Sequence, residues 1–274
     1  MMSKPEQRPA IGPILGATVI THSLEHVLPA YAALGLHKTA RAPWGRLPDE
    51  AGTGTDYRSA WLAVENDEPW LRLVEMPDAI TAPRYGRAGW FSLEVATKEV
   101  HALADIVGKA PGFETIAGPA PLDISEHIIA MQVAGPSGEL YYFTEVQREL
   151  PPFDLYRPSR LLDRLFIAVS TVGSRDESLA FWQRWTGIEG LRFETQINIL
   201  NRGLELASDH RMPVATMQLA GGSLIEIDQL PAHCLPPTEE NRLAYRGIAQ
   251  ISLRGNDQRH QLGPGNEHIE ICCL

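Results

Sequence analysis

Internal repetition constrains this chain more than any other feature. Three times it reads as a short apolar strand, a helical run and a glycine. ATVIT (17–21) precedes the run around Leu24–Leu34 and Gly35. SLEVA (92–96) precedes 98–107 and Gly108, and LFIAVS (165–170) precedes 176–186 and Gly187. Extended segments rich in Val, Ile, Tyr and Trp follow each helix, and some share words. MQVAG (131–135) matches MQLAG (217–221), and GPSGELYYF (135–143) aligns without gaps on GPGNEHIEI (263–271). PWLRLVEMP (69–77) and SLIEIDQLP (223–231) share an apolar pattern and a closing proline. The repeat predicts βαβββ modules starting near residues 14, 88, 163 and 246.

Local signals support the helices. Ser174 with Glu177 forms a capping box, Leu179, Trp182 and Trp185 follow at helical spacing, and Gly187 suits a left-handed helix end. Thr97 is the expected cap of the second helix, which has Val100, Leu103 and Val107 on one face, while Pro29 weakens the first. The Pro-rich stretch 149–158 reads as an interdomain linker, and a second connector is expected at 231–237. The expected division is an N-terminal module pair, 1–148, and a C-terminal pair, 159–274. Between Leu253 and Glu267 there is no room for a helix and two strands. Only the first and last strands of the fourth module are therefore expected.

Composition narrows the partners. The formal net charge is −10 over 274 residues and no basic block stands out, which argues against nucleic acid and anionic membranes. No apolar run approaches the roughly 18 residues of a membrane span. The first residues lack the apolar core of a signal peptide, so a cytoplasmic location is expected. Three cysteines, two of them adjacent, make neither a disulfide framework nor a zinc pattern.

SLAFWQRWTG (178–187), within the strand–helix unit 165–187, and the closing turn and strand GPSGELYYF resemble the vicinal oxygen chelate superfamily. That superfamily includes glyoxalase, bleomycin-resistance and extradiol dioxygenase proteins. The likeness spans nearly the whole chain and implies an α+β fold. Its paired βαβββ modules form two incomplete barrels, here with a truncated fourth module. It implies a lyase, isomerase or oxygenase acting on a small oxygenated, in some cases aromatic, metabolite. The alternative is a metal-free binding protein of the bleomycin-resistance type, and a third reading is a structural descendant with filled cavities.

In that fold the metal ligands stand at the start of the first strand and in the middle of the last strand of each module. In the first pair these positions are Gly16, Arg72, Trp90 and Tyr142, so an arginine- and aromatic-lined ligand cavity is expected there and no metal. In the second pair they are Arg164, Glu226, Gln250 and Glu270. The resemblance implies a site for one divalent metal (Fe, Mn, Zn or Ni) on Glu226, Gln250 and Glu270. Glu270 and Tyr142 are the candidate catalytic residues, and Arg72, Trp90, Tyr142 and Arg164 the candidate ligand-binding ones. An Arg164–Glu network without metal is the competing reading, because a cation beside a guanidinium is repelled. The oligomeric state is left open.

Overall fold

A computed structural model of the chain describes residues 11–65, 67–235 and 242–274. The first module is β1 (Ile14–Thr21), α1 (Leu24–Ala33), β2 (Leu36–Thr39), α2 (Pro48–Thr53), β3 (Ser59–Val64) and β4 (Leu71–Glu75). The second is β5 (Gly89–Ala96), α3 (Val100–Val107), β6 (Glu114–Leu122), β7 (Ser125–Ala134) and β8 (Leu140–Val146). The third is β9 (Leu165–Val172), α4 (Arg175–Thr186), β10 (Leu191–Gln196), α5 (Asn198–Gly203), β11 (Arg211–Gln218) and β12 (Leu224–Gln229). The fourth has β13 (Gly247–Arg254), β14 (Arg259–Leu262) and β15 (His268–Cys272). The fourth module is thus truncated as expected, but one short middle strand, β14, survives in it.

In each module the first and last strands pair in parallel: β1 with β4, β5 with β8, β9 with β12 and β13 with β15. Modules then join through their first strands in antiparallel fashion. The partners differ from those the sequence suggests. β1 pairs with β13 and β5 with β9, giving a seven-stranded sheet from modules one and four and an eight-stranded sheet from modules two and three. The expected grouping of one with two and three with four does not occur, and neither half of the chain contains a whole sheet.

Both sheets curl into half-barrels of the α+β kind. In the eight-stranded sheet the two edge strands are drawn together across the mouth. Asp123, in the β6–β7 turn, accepts from the Thr195 hydroxyl of β10 at 3.1 Å and from Arg211 at 3.4 Å. The Pro-rich 149–158 stretch is no free linker, because Phe153, Leu155 and Tyr156 pack on the apolar interior of this barrel. Part of the 231–237 connector lies outside the described residues.

Alternation sorts the faces. Ala17, Val19, Leu71 and Leu73 of the first sheet and Leu93, Val95, Ile225 and Ile227 of the second join one core with the helices. Val27, Leu103 and Trp182 are among the helical residues they meet. The opposite faces line the barrels.

One device recurs in three modules. The helix N-terminus leaves N–H groups without intrahelical acceptors, and a polar residue at the end of the module's own last strand supplies one. Leu24 N donates to Glu75 at 2.8 Å, Val100 N to Glu145 at 2.9 Å and Arg175 N to Gln229 at 2.9 Å. Thr97 is therefore not the cap of α3; Glu99 holds that position without a side-chain bond, and Glu145 reaches in from β8. In the fourth module the repeat alignment puts Cys273 where Glu145 stands, and no helix is there to be capped.

The GPxGE turns have a physical cause too. Glu139 folds back under its turn to accept from Ser137 N at 2.9 Å, and a Cβ on Gly135 would lie 2.0 Å from that carboxylate. In the second copy a Cβ on Gly263 would come within 2.3 Å of Glu267. Gly138 and its counterpart Asn266 take the left-handed backbone, which glycine and asparagine adopt most readily.

Because the Glu145 bond closes a helix end, Glu145→Ala should lower stability by about 1 kcal/mol. Urea denaturation midpoints of the parent and the variant check this, and an unchanged midpoint would show that the bond contributes nothing.

Candidate functional site

The first barrel is filled by its own chain. After β2 the segment 40–53 dips into the barrel and buries Trp44, Leu47 and Glu50. Four side chains from four adjacent strands converge on the backbone of Gly45 and Arg46. The Thr18 hydroxyl of β1 donates to Gly45 O at 3.2 Å, and the Arg72 guanidinium of β4 donates to the same oxygen. Gln250 of β13 donates to Arg46 O at 2.9 Å, while Glu270 of β15 accepts from Gly45 N at 2.6 Å. Gly45 has φ +88°, and a Cβ there would press on Arg72 Cδ at 3.0 Å. Gly16 is small for a related reason, since a Cβ would lie 2.4 Å from the Trp44 ring.

Arg72 is fully buried and makes a two-pronged pair with Glu50, at 2.6 and 2.7 Å, beneath the Trp61 ring at 4.7 Å. Burial alone would raise the Glu50 carboxyl. The Arg72 bonds and the Leu47 N–H outweigh it and hold the group below the usual carboxylate range. Glu270 also accepts from Ser252 at 2.6 Å and Gln250 at 3.4 Å. Thr18, Arg72, Gln250 and Glu270 thus all bond to the inserted peptide, while Arg72 Nε and Gln250 Oε1 are left without a partner among the described residues.

The second barrel is hollow. A cavity of about 180 Å³ is lined by Phe91, Ser92, Glu94, Gln132, Tyr142 and Phe193, with Glu226 and Asp228 of β12. Register explains the convergence: Glu94 stands opposite Tyr142, Gln132 opposite Tyr142, and Glu226 opposite Val169 and Thr216. Burial pushes the Glu94 carboxyl up to about 8, with Glu226 adding to it and the Thr144 hydroxyl, donating at 3.0 Å, opposing it. Burial takes Glu226 to about 7, against a hydrogen bond with Asp228. Asp228 is raised well above the usual range by burial and by both glutamates. Burial and these three carboxyls also keep the Tyr142 phenol neutral.

The expected metal set is divided by this topology. Gln250 and Glu270 lie in the first sheet and Glu226 in the second, so the three do not converge. A divalent ion does not fit the first barrel, where Arg72 and the Gly45 peptide occupy the position it would take. Nor does it fit the second, where Glu94 is turned onto Thr144 and Glu226 and Asp228 onto each other. Among the described residues no three His, Cys, Asp or Glu side chains are placed to hold a metal.

Arg164 and Trp90 line neither interior. Arg164, before β9, donates to Ile14 O at 2.9 Å, and Trp90 of β5 donates to His268 O at 2.8 Å. Each ties one sheet to the other. Tyr142 faces the second cavity, and Tyr141, on the opposite face, meets the Tyr31 hydroxyl at 3.1 Å. Sequence reasoning missed Glu50, Glu94 and Asp228. A lone glutamate inside the apolar run SLEVA and an aspartate two positions after Glu226 in LIEIDQ were available signals, because both occupy inward register. Glu50, in the short helix α2, carries no such signal.

No protein-family profile and no curated protein matches the sequence. Solved structures do. Glyoxalase I from Zea mays is 15% identical, with 94% of this chain and 91% of that chain covered and a TM-score of 0.59. A putative dioxygenase from Bacillus subtilis subsp. subtilis str. 168 is 13% identical, with 97% and 86% covered and a TM-score of 0.61. The chain has the vicinal oxygen chelate fold. No helix among the described residues is long and apolar enough to cross a membrane.

Two outcomes follow from these environments. Arg72→Met leaves Glu50 buried without its partner and should cost about 3–5 kcal/mol in chemical denaturation, most of it recovered in the Arg72→Met, Glu50→Leu double variant. The second concerns pH. The folded-state values of Glu94 and Glu226, about 8 and 7, lie above the unfolded value of 4.5. Their contribution is therefore fully present below pH ~4.5 and is lost as pH rises toward 8. Glu94→Gln should match the parent near pH 4.5 and exceed its stability above pH 8 by more than about 1 kcal/mol. Equal pH profiles would show that Glu94 is not held protonated.

Proposed function

We propose that the second barrel is the working site and that the chain is an isomerase or lyase moving a proton on a small oxygenated molecule. The observation that carries this reading is the pair of Glu94, buried, and Glu226, half-buried, in the wall of one cavity, with Glu226 raising the Glu94 carboxyl. Two such carboxyls share one proton at neutral pH. Glu226 ionises first and acts as base, while Glu94 keeps its proton and acts as acid, the division of labour that proton-transfer sites use.

The chemistry balances without an oxidant. Glu226 takes the proton from a carbon beside a carbonyl, and the C–H electron pair moves into an enolate. The neutral Tyr142 hydroxyl donates to the developing oxyanion. Glu94 returns a proton to the same carbon from its other face, which restores the carbonyl with inverted configuration, or to an oxygen leaving the next carbon, whose C–O bond breaks as the carbonyl reforms with an alkene beside it. Glu270, expected as a catalytic group, is given a positioning role here through its hold on Gly45. Arg72 likewise serves the filled barrel instead of a ligand.

The second reading is a metal-free binding protein, favoured by the apolar and aromatic share of the same lining. Deuterium separates the two. Small 2-oxo and 2-hydroxy compounds are incubated with the protein in D2O and followed by NMR for loss of the C–H signal. The enzyme reading expects incorporation that Glu226→Gln slows at least ~100-fold, the usual scale of general acid–base assistance. Binding without exchange of any carbon-bound proton would leave the binding-protein reading in its place.

A further inference from the structure

The polar lining of the second barrel is one-sided. Glu94, Asp123, Glu226 and Asp228 reach the cavity, and Arg202 is its single basic neighbour, exposed on α5. None of the carboxylates at its centre has a basic partner among the described salt bridges, in contrast to Glu50 in the first barrel. A buried carboxylate set of this kind needs compensating positive charge or protons.

A second, independent set of groups faces the same space. The Ser92 hydroxyl is fully buried, the Thr216 hydroxyl nearly so, and neither has a hydrogen-bond partner. The Gln132 carbonyl oxygen and Asp228 Oδ1 are unpartnered as well. Ser92, Gln132 and Asp228 line the main cavity, and Thr216 lines the adjoining recess with Glu94 and Glu226. Each of these four atoms can accept a hydrogen bond; the Gln132 carbonyl oxygen accepts only, and Asp228 Oδ1 does so once a cation beside it draws off the carboxyl proton. A ligand that satisfies them is rich in N–H donors. Phe91, Tyr142 and Phe193 add ring faces, which favour a cation with an apolar or flat body.

We infer that the second barrel takes molecules bearing an organic cation, an ammonium, amidinium or guanidinium group, seated against Asp228 and its neighbouring acceptors. This inference rests on the second barrel being the working site and names the class of molecule it receives. An ion of the metal kind satisfies the charge but not the spread of acceptors. They lie on β5, β7, β11 and β12, and no three His, Cys, Asp or Glu side chains of the described residues are placed around one ion. A planar N–H donor group spans such a spread, because its donors point in several fixed directions.

The test uses probes of one shape and three charges: benzamidinium, benzamide and benzoate, with guanidinium as a smaller cation. Binding to the full chain is followed by calorimetry and by methyl NMR of Ala130, Val169 and Ile197, which lie on the cavity wall. The expected result is shifts at these methyls with benzamidinium bound at least ~10-fold more tightly than benzamide, and benzoate weakest. Asp228→Asn should abolish the preference, and Ser92→Ala should weaken benzamidinium several-fold; circular dichroism confirms folding, and Glu94→Gln replaces the first variant if it fails to fold. Equal binding of all three probes in the barrel would overturn the cation assignment and leave the barrel as the working site. Failure of both cations and both other probes to shift these methyls would overturn the two together. Displacement of benzamidinium by one equivalent of Mn2+ or Zn2+ would assign the site to an inorganic ion and overturn the inference.

Discussion

The backbone of Gly45 and Arg46, held by Thr18, Arg72, Gln250 and Glu270, is the interaction on which the first barrel depends. Those four side chains stand on four strands that the register places side by side, β4, β1, β13 and β15. In a barrel of this architecture such positions look inward and are costly to bury without partners. The chain meets that requirement with its own peptide group, one N–H and two carbonyls. Arg72 is then fixed by Glu50, which arrives on the same inserted segment, so that charge and shape are met together. A segment held from four directions in this way leaves the first barrel no room for a guest.

The second barrel has the same strand plan and the opposite electrostatics. Its inward carboxyls come from β5 and β12, and no segment enters to neutralise them. The nearest insertion, α5, buries Ile199 and Leu200 in the apolar part of this interior and leaves Arg202 exposed. What is a completed ion pair in one barrel is in the other a set of carboxyls that burial drives toward their protonated forms. On that contrast rests the proposal that one barrel works and the other supports it. The cross-ties from Arg164 to Ile14 and from Trp90 to His268 hold the two against each other, which makes the rigid barrel a wall for the hollow one.

Much of this was legible in the repeat. Gap-free matches such as 135–143 on 263–271 fixed the modules, their order and the loss of the middle of the fourth. The helix of 176–186 was visible through Ser174, Glu177 and Gly187 because its signals are local. The pairing of modules was not visible. Every module presents the same kind of first strand, and apolar alternation in β1 or β5 does not say which other first strand lies beside it. The assumption that neighbours in sequence pair was natural, but the chain crosses between sheets after β4 and again after β12. Gln250 and Glu270 were correctly recognised as inward and assigned the wrong company, with Glu226 instead of Arg72 and Thr18. Trp90 and Arg164 were misplaced because the inward positions lie further along: Glu94 stands opposite Tyr142, and Val169 opposite Glu226.

The same comparison shows why the residues that bear on function escaped the pattern. The two inward carboxyls that decide the character of the hollow barrel, Glu94 and Asp228, sit in strands whose other residues are almost all apolar. A charged residue in such a run is expensive unless something meets it, and in a sequence that expense is the only trace of a site. Glu50 meets Arg72 from the short helix α2, 22 positions away, a pairing that no periodicity encodes. Glu94 and Asp228 line one cavity of a sheet built from two modules, where Glu94 helps to raise the Asp228 carboxyl. Two isolated acids in apolar strands therefore say little singly. Brought to one wall by the pairing of β5 with β9 and β9 with β12, they define a cavity lined by acids that hold their protons, and it is the topology, not either residue, that sets them together.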